Sequence, residues 1–334
     1  MPSVHHDFKV LAFEGTEAIS TLYAIHIELV SEAPDFDLQS LLGQSAFLRC
    51  GLNGEGLHGR IEDVRAGEPG KRLTRYQLTL VPSLHYLQLR HNQRIFQHLT
   101  VPQIIAQVLH EHGIQADAHT FHVSPGPARE YCTQYGEDDL TFIQRLCSEE
   151  GIAWHHQHSP EGHHLVFTDH QRFFPKLGTT PYLQGSGQVA DHPVVSAFSQ
   201  RFSTRTSTVS RRDYDLKRPS RLLQSQYAAE FTPVLEDYRY PSPIDTEQRG
   251  RQLAQHALER HRVDYRLAEG RSDQPELRSG HFFSLSEHPR TQSNDLWLLL
   301  SVSHEGKQPQ VLEESANSAG QADDGFSQGY RNLF

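Results

Sequence analysis

In REYCTQYGEDDLTFIQRLCSEEGIAWHH, residues 129–156, Leu140, Ile143, Leu146 and Cys147 recur at helical spacing behind Asp138, a residue able to cap them. Gly151-Ile152 ends that helix and passes into a strand. The acids from Glu137 to Asp139 stand at the helix N-terminus, where negative charge complements the macrodipole. Glu149-Glu150 stands at the other end, where the dipole opposes it. A salt bridge to another element or another subunit is expected there rather than an acid–base pair, because no nucleophile or sugar-binding aromatics are arrayed nearby.

On the C-terminal side, residues 151–170 hold six histidines, and imidazole is the commonest metal ligand. Ser159-Pro160-Glu161-Gly162 reads as a turn, so His155 to His158 and His163 to Val166 are expected as the arms of a hairpin. Alternation then puts Trp154, His156 and His158 on one face and His155 with Gln157 on the other. A cross-strand pair and a neighbour could supply three ligands, but no carboxylate or cysteine is spaced to complete a zinc site. Packed or surface imidazoles are the expectation, and no metal residue is assigned.

On the N-terminal side, Thr100 and Gln103 form a capping-box pattern before Ile104, Ile105, Val108 and Leu109, and Gly113 suits the position after a helix end, predicting a helix over 101–112. The first ninety residues alternate in FKVLAFEG, LYAIHIELVS, SAFLRC, GRIEDVRA and RLTRYQLTLVP, the period of half-buried antiparallel strands in a small barrel or sandwich. Gly54 to Gly59 matches the dinucleotide pattern G-x-G-x-x-G, but the following RIEDVRA alternates like a strand where that fingerprint needs a helix. A tight hairpin turn is expected instead.

Past the histidines, residues 176–193 are rich in turn formers and read as a linker. VVSAFSQRFSTRTSTVS then alternates. A capped helix begins near Asp245, with Leu253, Ala254, Ala257, Leu258 and His261 on one face, and strands resume at 280–303. The polar tail QADDGFSQGYRNLF reads as a connector. Gly43 opening a strand with Phe47 is echoed by Gly280 opening one with Phe283 and Leu285, each followed by a turn and a strand, a weak internal repeat that fits two related barrels.

The length, 334 residues, suits about two domains. The formal net charge of −10 makes nucleic acid an unlikely partner, and RRDYDLKR at 211–218, with its two aspartates, reads as a solvated edge rather than a phosphate track. Cys50, Cys132 and Cys147 lack C-x-x-C spacing and are expected as reduced, buried thiols. MPSVHHDFKV has no signal core and LWLLLSV at 296–302 is too short to span a bilayer, so a chain made and folded in the cytosol without stable membrane insertion is expected. No G-x-S-x-G elbow, H-E-x-x-H helix or Walker loop occurs, and His110-Glu111-His112 lacks the i, i+4 spacing of a ligand pair. No catalytic or cofactor-binding residue is assigned.

The run at 129–156 resembles the signature of VgrG proteins, spike-tip components of bacterial type VI secretion systems. Arg129, Glu130, Gln134, Tyr135, Glu137, Asp139, Leu140, Phe142, Arg145, Leu146, Glu149, Glu150, Gly151 and Ile152 stand at matching positions. LLGQSAFL with LHGRIEDV, RIFQHLTVPQIIAQVLHEHGI, DYDLKRPS, YRYPSP and GHFFSLSEHPRTQSNDLWLLLSVSHEG extend the resemblance in the family's order. Where relatives carry aromatics after E-E-G-I, this chain has Trp154-His155-His156-Gln157, which favours packed histidines.

The resemblance implies a mainly β fold with α insertions (α+β): two related β-barrel domains of phage baseplate-hub type with a helix-containing insertion. The implied boundaries are 1–95 for the first hub β-barrel, 96–175 for a helix-hairpin insertion carrying the signature, 176–310 for the second hub β-barrel with one helix, and 311–334 for a connector to an absent C-terminal barrel and needle. It implies a homotrimer whose ring of approximate sixfold symmetry caps the hexameric Hcp tube. Type VI baseplate components are further implied partners, as are a PAAR tip and effectors through the absent C-terminal region. The implied role is structural, not enzymatic, and needs no cofactor: to couple the tube to the puncturing needle for effector delivery. The chain would be cytoplasmic when assembled, then secreted by the type VI system without a signal peptide. A phage or tailocin baseplate hub is the alternative, and a histidine-rich metallohydrolase a more distant one.

Overall fold

The alternating segments of the N-terminal ninety residues form antiparallel strands in the computed structural model, which describes residues 1, 6–69, 72–124, 126–184, 191–216, 218–242, 244, 246–312 and 326–334. These are β1 (Lys9–Ala18), β2 (Thr21–Ser31), β3 (Ser45–Arg49), β4 (Gly56–Pro69) and β5 (Thr74–Val81). Every second residue turns inward, so Tyr23, Ile25, Ile27 and Leu29 of β2 meet Tyr76, Leu78 and Leu80 of β5 in one core. The Gly54 to Gly59 motif lies at the β3–β4 turn, with Gly54 at φ +101° and Arg49 paired to Gly56. It is a hairpin, as its alternating sequel predicts.

The chain continues through β6 (His91–Phe96), α1 (Val101–Glu111), β7 (His119–His122), β8 (Cys132–Asp138), α2 (Asp139–Glu150), β9 (Ala153–His158) and β10 (His163–Thr168). Both helix starts follow their capping residues. Thr100 and Gln103 close a capping box on α1, and Asp138 accepts the Thr141 N–H at 2.8 Å on α2. The buried stripes Ile104, Ile105, Val108 and Leu109 of α1 and Leu140, Phe142, Ile143 and Leu146 of α2 pack with Trp154 and Phe167 into a second core.

Next come β11 (Lys176–Pro181), β12 (Val195–Phe202), β13 (Thr208–Tyr214), β14 (Leu222–Ala228), β15 (Glu236–Arg239), α3 (Glu247–Arg262), β16 (Arg266–Ser272), β17 (Phe282–Ser286), β18 (Leu296–Leu298), β19 (Ser301–Lys307) and β20 (Gly329–Leu333). The chain divides into two units. One comprises Met1–Ser148, Ile152–Ala197 and Gly270–Phe334; the other comprises Glu149–Gly151 and Phe198–Glu269. In the second unit, α3 packs Ala254 and Leu258 on Val209 of the sheet β14-β13-β15. Thr246 caps α3 by accepting the Arg249 N–H at 3.3 Å. Asp245, the expected start, lies outside the described residues.

Four expectations need correction. Among the described residues no sheet closes into a barrel: the largest is open, nine strands in the order β12-β16-β20-β19-β1-β2-β5-β4-β3. It draws strands from both of the segments read as separate barrels, because β19 pairs with β1 along seven residues, Ala18↔Ser301 to Ala12↔Lys307. Within the expected linker, Lys176–Pro181 is instead a strand parallel to β17, while 185–190 lie outside the described residues. The end of the expected connector is likewise a strand, β20, hydrogen-bonded between β19 and β16; its residues 313–325 lie outside the described residues. The apolar run LWLLLSV is split. β18 stays with β17, the Leu299 N–H donates to the His281 carbonyl at 2.9 Å, and the chain then leaves as β19 to meet β1.

Candidate functional site

The signature residues at 129–156 converge on Asp139, whose side chain is wholly buried at the first turn of α2. Its carboxylate is ion-paired to Arg90 Nε at 2.9 Å and accepts from Arg94 Nη2 at 3.1 Å, His112 Nε2 at 2.7 Å and Gln134 Nε2 at 2.8 Å. Gln134 in turn accepts from Arg94 Nε at 2.8 Å. Arg90 and Arg94 also pair with Glu111 at the end of α1; burial opposes its charge, yet the two guanidiniums hold its carboxyl below the usual range. Two guanidiniums meet two carboxylates, so the network is close to neutral and binds β6, β8, α1 and α2 into one block. Arg145 forks onto Glu137 at 2.5 and 3.3 Å and reaches the Thr133 carbonyl at 2.9 Å. At the far end of α2, Glu150 pairs with Arg249 of α3, which is the salt bridge to another element that the misplaced acid pair predicts.

The histidine hairpin forms as expected, with His158 opposite His163 and the Ser159 N–H donating to the Gly162 carbonyl at 2.8 Å. Its two faces have different fates. On one, His156, His158 and His163 surround the Tyr23 ring at centroid distances of 5.0, 5.2 and 6.3 Å. The hydrogen bonds fix the tautomers. His158 Nδ1 accepts the His58 N–H at 3.1 Å, so its proton is on Nε2 and donates to Glu17 at 3.4 Å. Glu17, wholly buried, also accepts from the Ser279 N–H at 3.1 Å and from His304 Nε2 at 3.2 Å, which leaves His304 Nδ1 to accept the Tyr330 hydroxyl at 2.7 Å. His163 Nε2 accepts the Ser83 N–H at 2.9 Å, so its Nδ1–H donates to His58 Nδ1 at 2.9 Å.

Electrostatics follow from this pattern. Burial opposes the charge on Glu17, but the hydrogen bonds from His158 and His304 hold its carboxyl well below the usual range. Burial pushes His58 down to about 4 and His163 to about 3, and His156 well below its ordinary value, with neighbouring imidazoles adding repulsion. The cluster is one buried carboxylate held by two imidazole N–H groups and a backbone N–H. On the other face of the hairpin, His155 is wholly buried against Phe174 and His281, at 5.2 and 5.7 Å, and neither of its ring nitrogens has a hydrogen-bond partner. Of the remaining histidines, His164 Nε2 bonds Thr120 at 2.7 Å and His170 accepts the Arg172 N–H at 3.1 Å.

Among the described residues, no three His, Cys, Asp or Glu side chains are placed to hold a metal ion. The three cysteines are free thiols, and burial pushes Cys50 up to about 11 and Cys147 to about 12, far from reactive thiolate character. Glu17 and His304 carry no local signal that marks them as partners of the hairpin, since each occupies an ordinary polar position in a strand. No helix of the described residues is long and apolar enough to cross a membrane.

The phage tail baseplate hub (GPD) family model matches residues 16–310. The type VI secretion system spike protein VgrG4b of Pseudomonas aeruginosa is 54% identical over 341 aligned residues, covering 100% of this chain and 42% of the relative. VgrG5 of the same organism is 53% identical over 99% of this chain and 43% of the relative, so the chain spans less than half the length of either. The E. coli c3393 protein, described as a type VI secretion component with structural similarity to the T4 bacteriophage tail proteins gp27 and gp5, superposes with a TM-score of 0.72. It is 22% identical, and the match covers 99% of this chain and 74% of that one.

Proposed function

The chain belongs to the phage tail baseplate hub (GPD) family, and on that premise we propose that it is the structural hub of a type VI secretion spike. It trimerises to cap the hexameric Hcp tube and couples that tube to a puncturing needle. Type VI baseplate components, a PAAR tip and effectors complete the assembly, which forms in the cytoplasm and is then secreted. The observation that carries the reading is the likeness to type VI spike proteins along the whole chain, 54% identical in one case. The geometry supports a mechanical role. The signature side chains Gln134, Glu137, Asp139 and Arg145 direct their polar groups at one another, at backbone and at Arg90, Arg94 and His112, which stiffens the block that carries them.

Two related hub modules, 1–95 and 176–310, separated by the 96–175 insertion and followed by a 311–334 connector, would give three chains the approximate sixfold ring needed to sit on a hexamer. The echo between the hairpins supports a duplication. Gly43 and Gly280 are both left-handed, at φ +74° and +71°, and each donates its N–H at 2.8 Å, to the Ile61 and Leu299 carbonyls respectively.

The test is co-sedimentation of a verified trimer with Hcp tubes, imaged by negative stain. End-on binding is expected; binding along the tube sides, or none, overturns the reading. A phage or tailocin hub is the second reading, favoured by the family model's own description. The coding sequence downstream separates the two, since a repetitive β-helix favours secretion and a lysozyme-like domain favours a phage baseplate.

A further inference from the structure

In the second unit, α3 covers only one face of the sheet β14-β13-β15. Register pairs Tyr214 with Leu222, Arg212 with Gln224 and Ser210 with Tyr238, so these residues share the face turned away from the buried Val209 and Leu223. At one end of that face lies an open cleft of about 400 Å³, lined by Arg212, Tyr214, Arg221, Leu222, Tyr238 and Tyr240 with Asp213 at its side. Residues of two stretches singled out in the sequence meet here, Asp213, Tyr214, Pro219 and Ser220 of the first with Tyr238 and Tyr240 of the second. Tyr214, Leu222, Tyr238 and Tyr240 are each at least half exposed, and all four line the one cleft.

The polar groups of the cleft are unspent. Among the described residues, the guanidiniums of Arg212 and Arg221 make no ion pair or hydrogen bond, and the hydroxyls of Tyr214, Tyr238 and Tyr240 have no partner. Asp213, the one carboxylate in the lining, already accepts the Tyr214 N–H at 2.8 Å and the Ile244 N–H at 3.3 Å. Arginine and tyrosine are the residues enriched at the energetic centres of protein interfaces, and a guanidinium fork matches a carboxylate. We infer that this cleft is a docking site for an extended segment of a partner protein that carries one or two carboxylates among apolar residues. The carboxylates bind between Arg212 and Arg221, and the apolar side chains lie on the three phenol rings. Charge complementarity selects the occupant: the cleft is net positive on a chain of net charge −10, which disfavours a polymer charged at every step, such as single-stranded nucleic acid. The inference does not depend on the hub reading.

Selection of a random twelve-residue peptide display library on the immobilised full chain, with counter-selection on R212Q/R221Q, tests it. Enriched peptides are expected to carry Asp or Glu beside Leu, Pro or aromatic residues. In fluorescence anisotropy, R212Q/R221Q should weaken a selected peptide about tenfold or more, whereas R218Q, whose arginine is already paired to Asp215, should bind within about twofold of the parent. Changing the peptide's own Asp or Glu to Asn or Gln should give the same loss against the unaltered chain, a readout independent of how the variant folds. Peptides without an acidic excess, equal binding to R212Q/R221Q, displacement by poly-U at lower concentration than by unlabelled peptide, or cleft-dependent self-association in place of peptide binding would each overturn the proposal.

Discussion

At His155 the fold encloses an imidazole with two unpartnered nitrogens beside Phe174 and Gly280. A buried polar atom without a partner costs roughly 1–3 kcal/mol, so His155→Phe is expected to stabilise the chain by about 1 kcal/mol once the larger ring has been accommodated. An increase in melting temperature checks this; a decrease would show that packing against Gly280 leaves no room for the larger ring. Sequence reasoning separated His155 from His156 and His158 correctly, because strand alternation is a local property. It could not find Glu17, whose neighbours in EGTEAIST look like those of any solvated strand residue, since burial there is imposed by β19 and β20 arriving from nearly three hundred residues away.

Among the elements, α2 and its approach show how a short motif becomes rigid. Asp139 sits where the helix dipole welcomes a carboxylate, and it also meets Arg90 just before β6, Arg94 of β6, His112 just after α1 and Gln134 of β8. Asp139→Ala leaves the guanidiniums of Arg90 and Arg94 to share Glu111 as their one carboxylate, a change that costs about 3–5 kcal/mol. Chemical denaturation of the full chain should register it, and a loss below about 1 kcal/mol would show that Glu111 alone can hold both arginines. Helices, caps and hairpins were legible because capping boxes, left-handed glycines and apolar periods are written within a dozen residues. The split of LWLLLSV between two sheets was not, since both halves carry the same period and only the competing hydrogen bonds at Gly280 and His281 divide them.

For the whole molecule, the Glu17 cluster is the place where N-terminal, central and C-terminal strands meet. Two of its histidines bind protons less readily than in an unfolded chain: His58 sits at about 4 and His163 at about 3, against an ordinary 6.5. Their contribution to stability is therefore fully present above pH 6.5 and is lost as pH falls toward those values, and Glu17, also lowered, adds a further loss below its ordinary 4.5. His163→Gln keeps an acceptor for Ser83 and a donor for His58 but cannot take up a proton. The slope of unfolding free energy against pH between 6.5 and 4 should flatten by about one proton; an unchanged slope would place the acid sensitivity elsewhere.

The ladder between β1 and β19 also sets a schedule for synthesis. Thr16 and Ser303, joined through their hydroxyls at 2.8 Å, are 287 positions apart. At ribosomal rates of about 5–20 residues per second, β1 waits on the order of 15–60 s with one edge unpaired before its neighbour emerges. Until then that edge is a template for stray strands, so the nascent chain needs shielding during translation that the finished sheet does not.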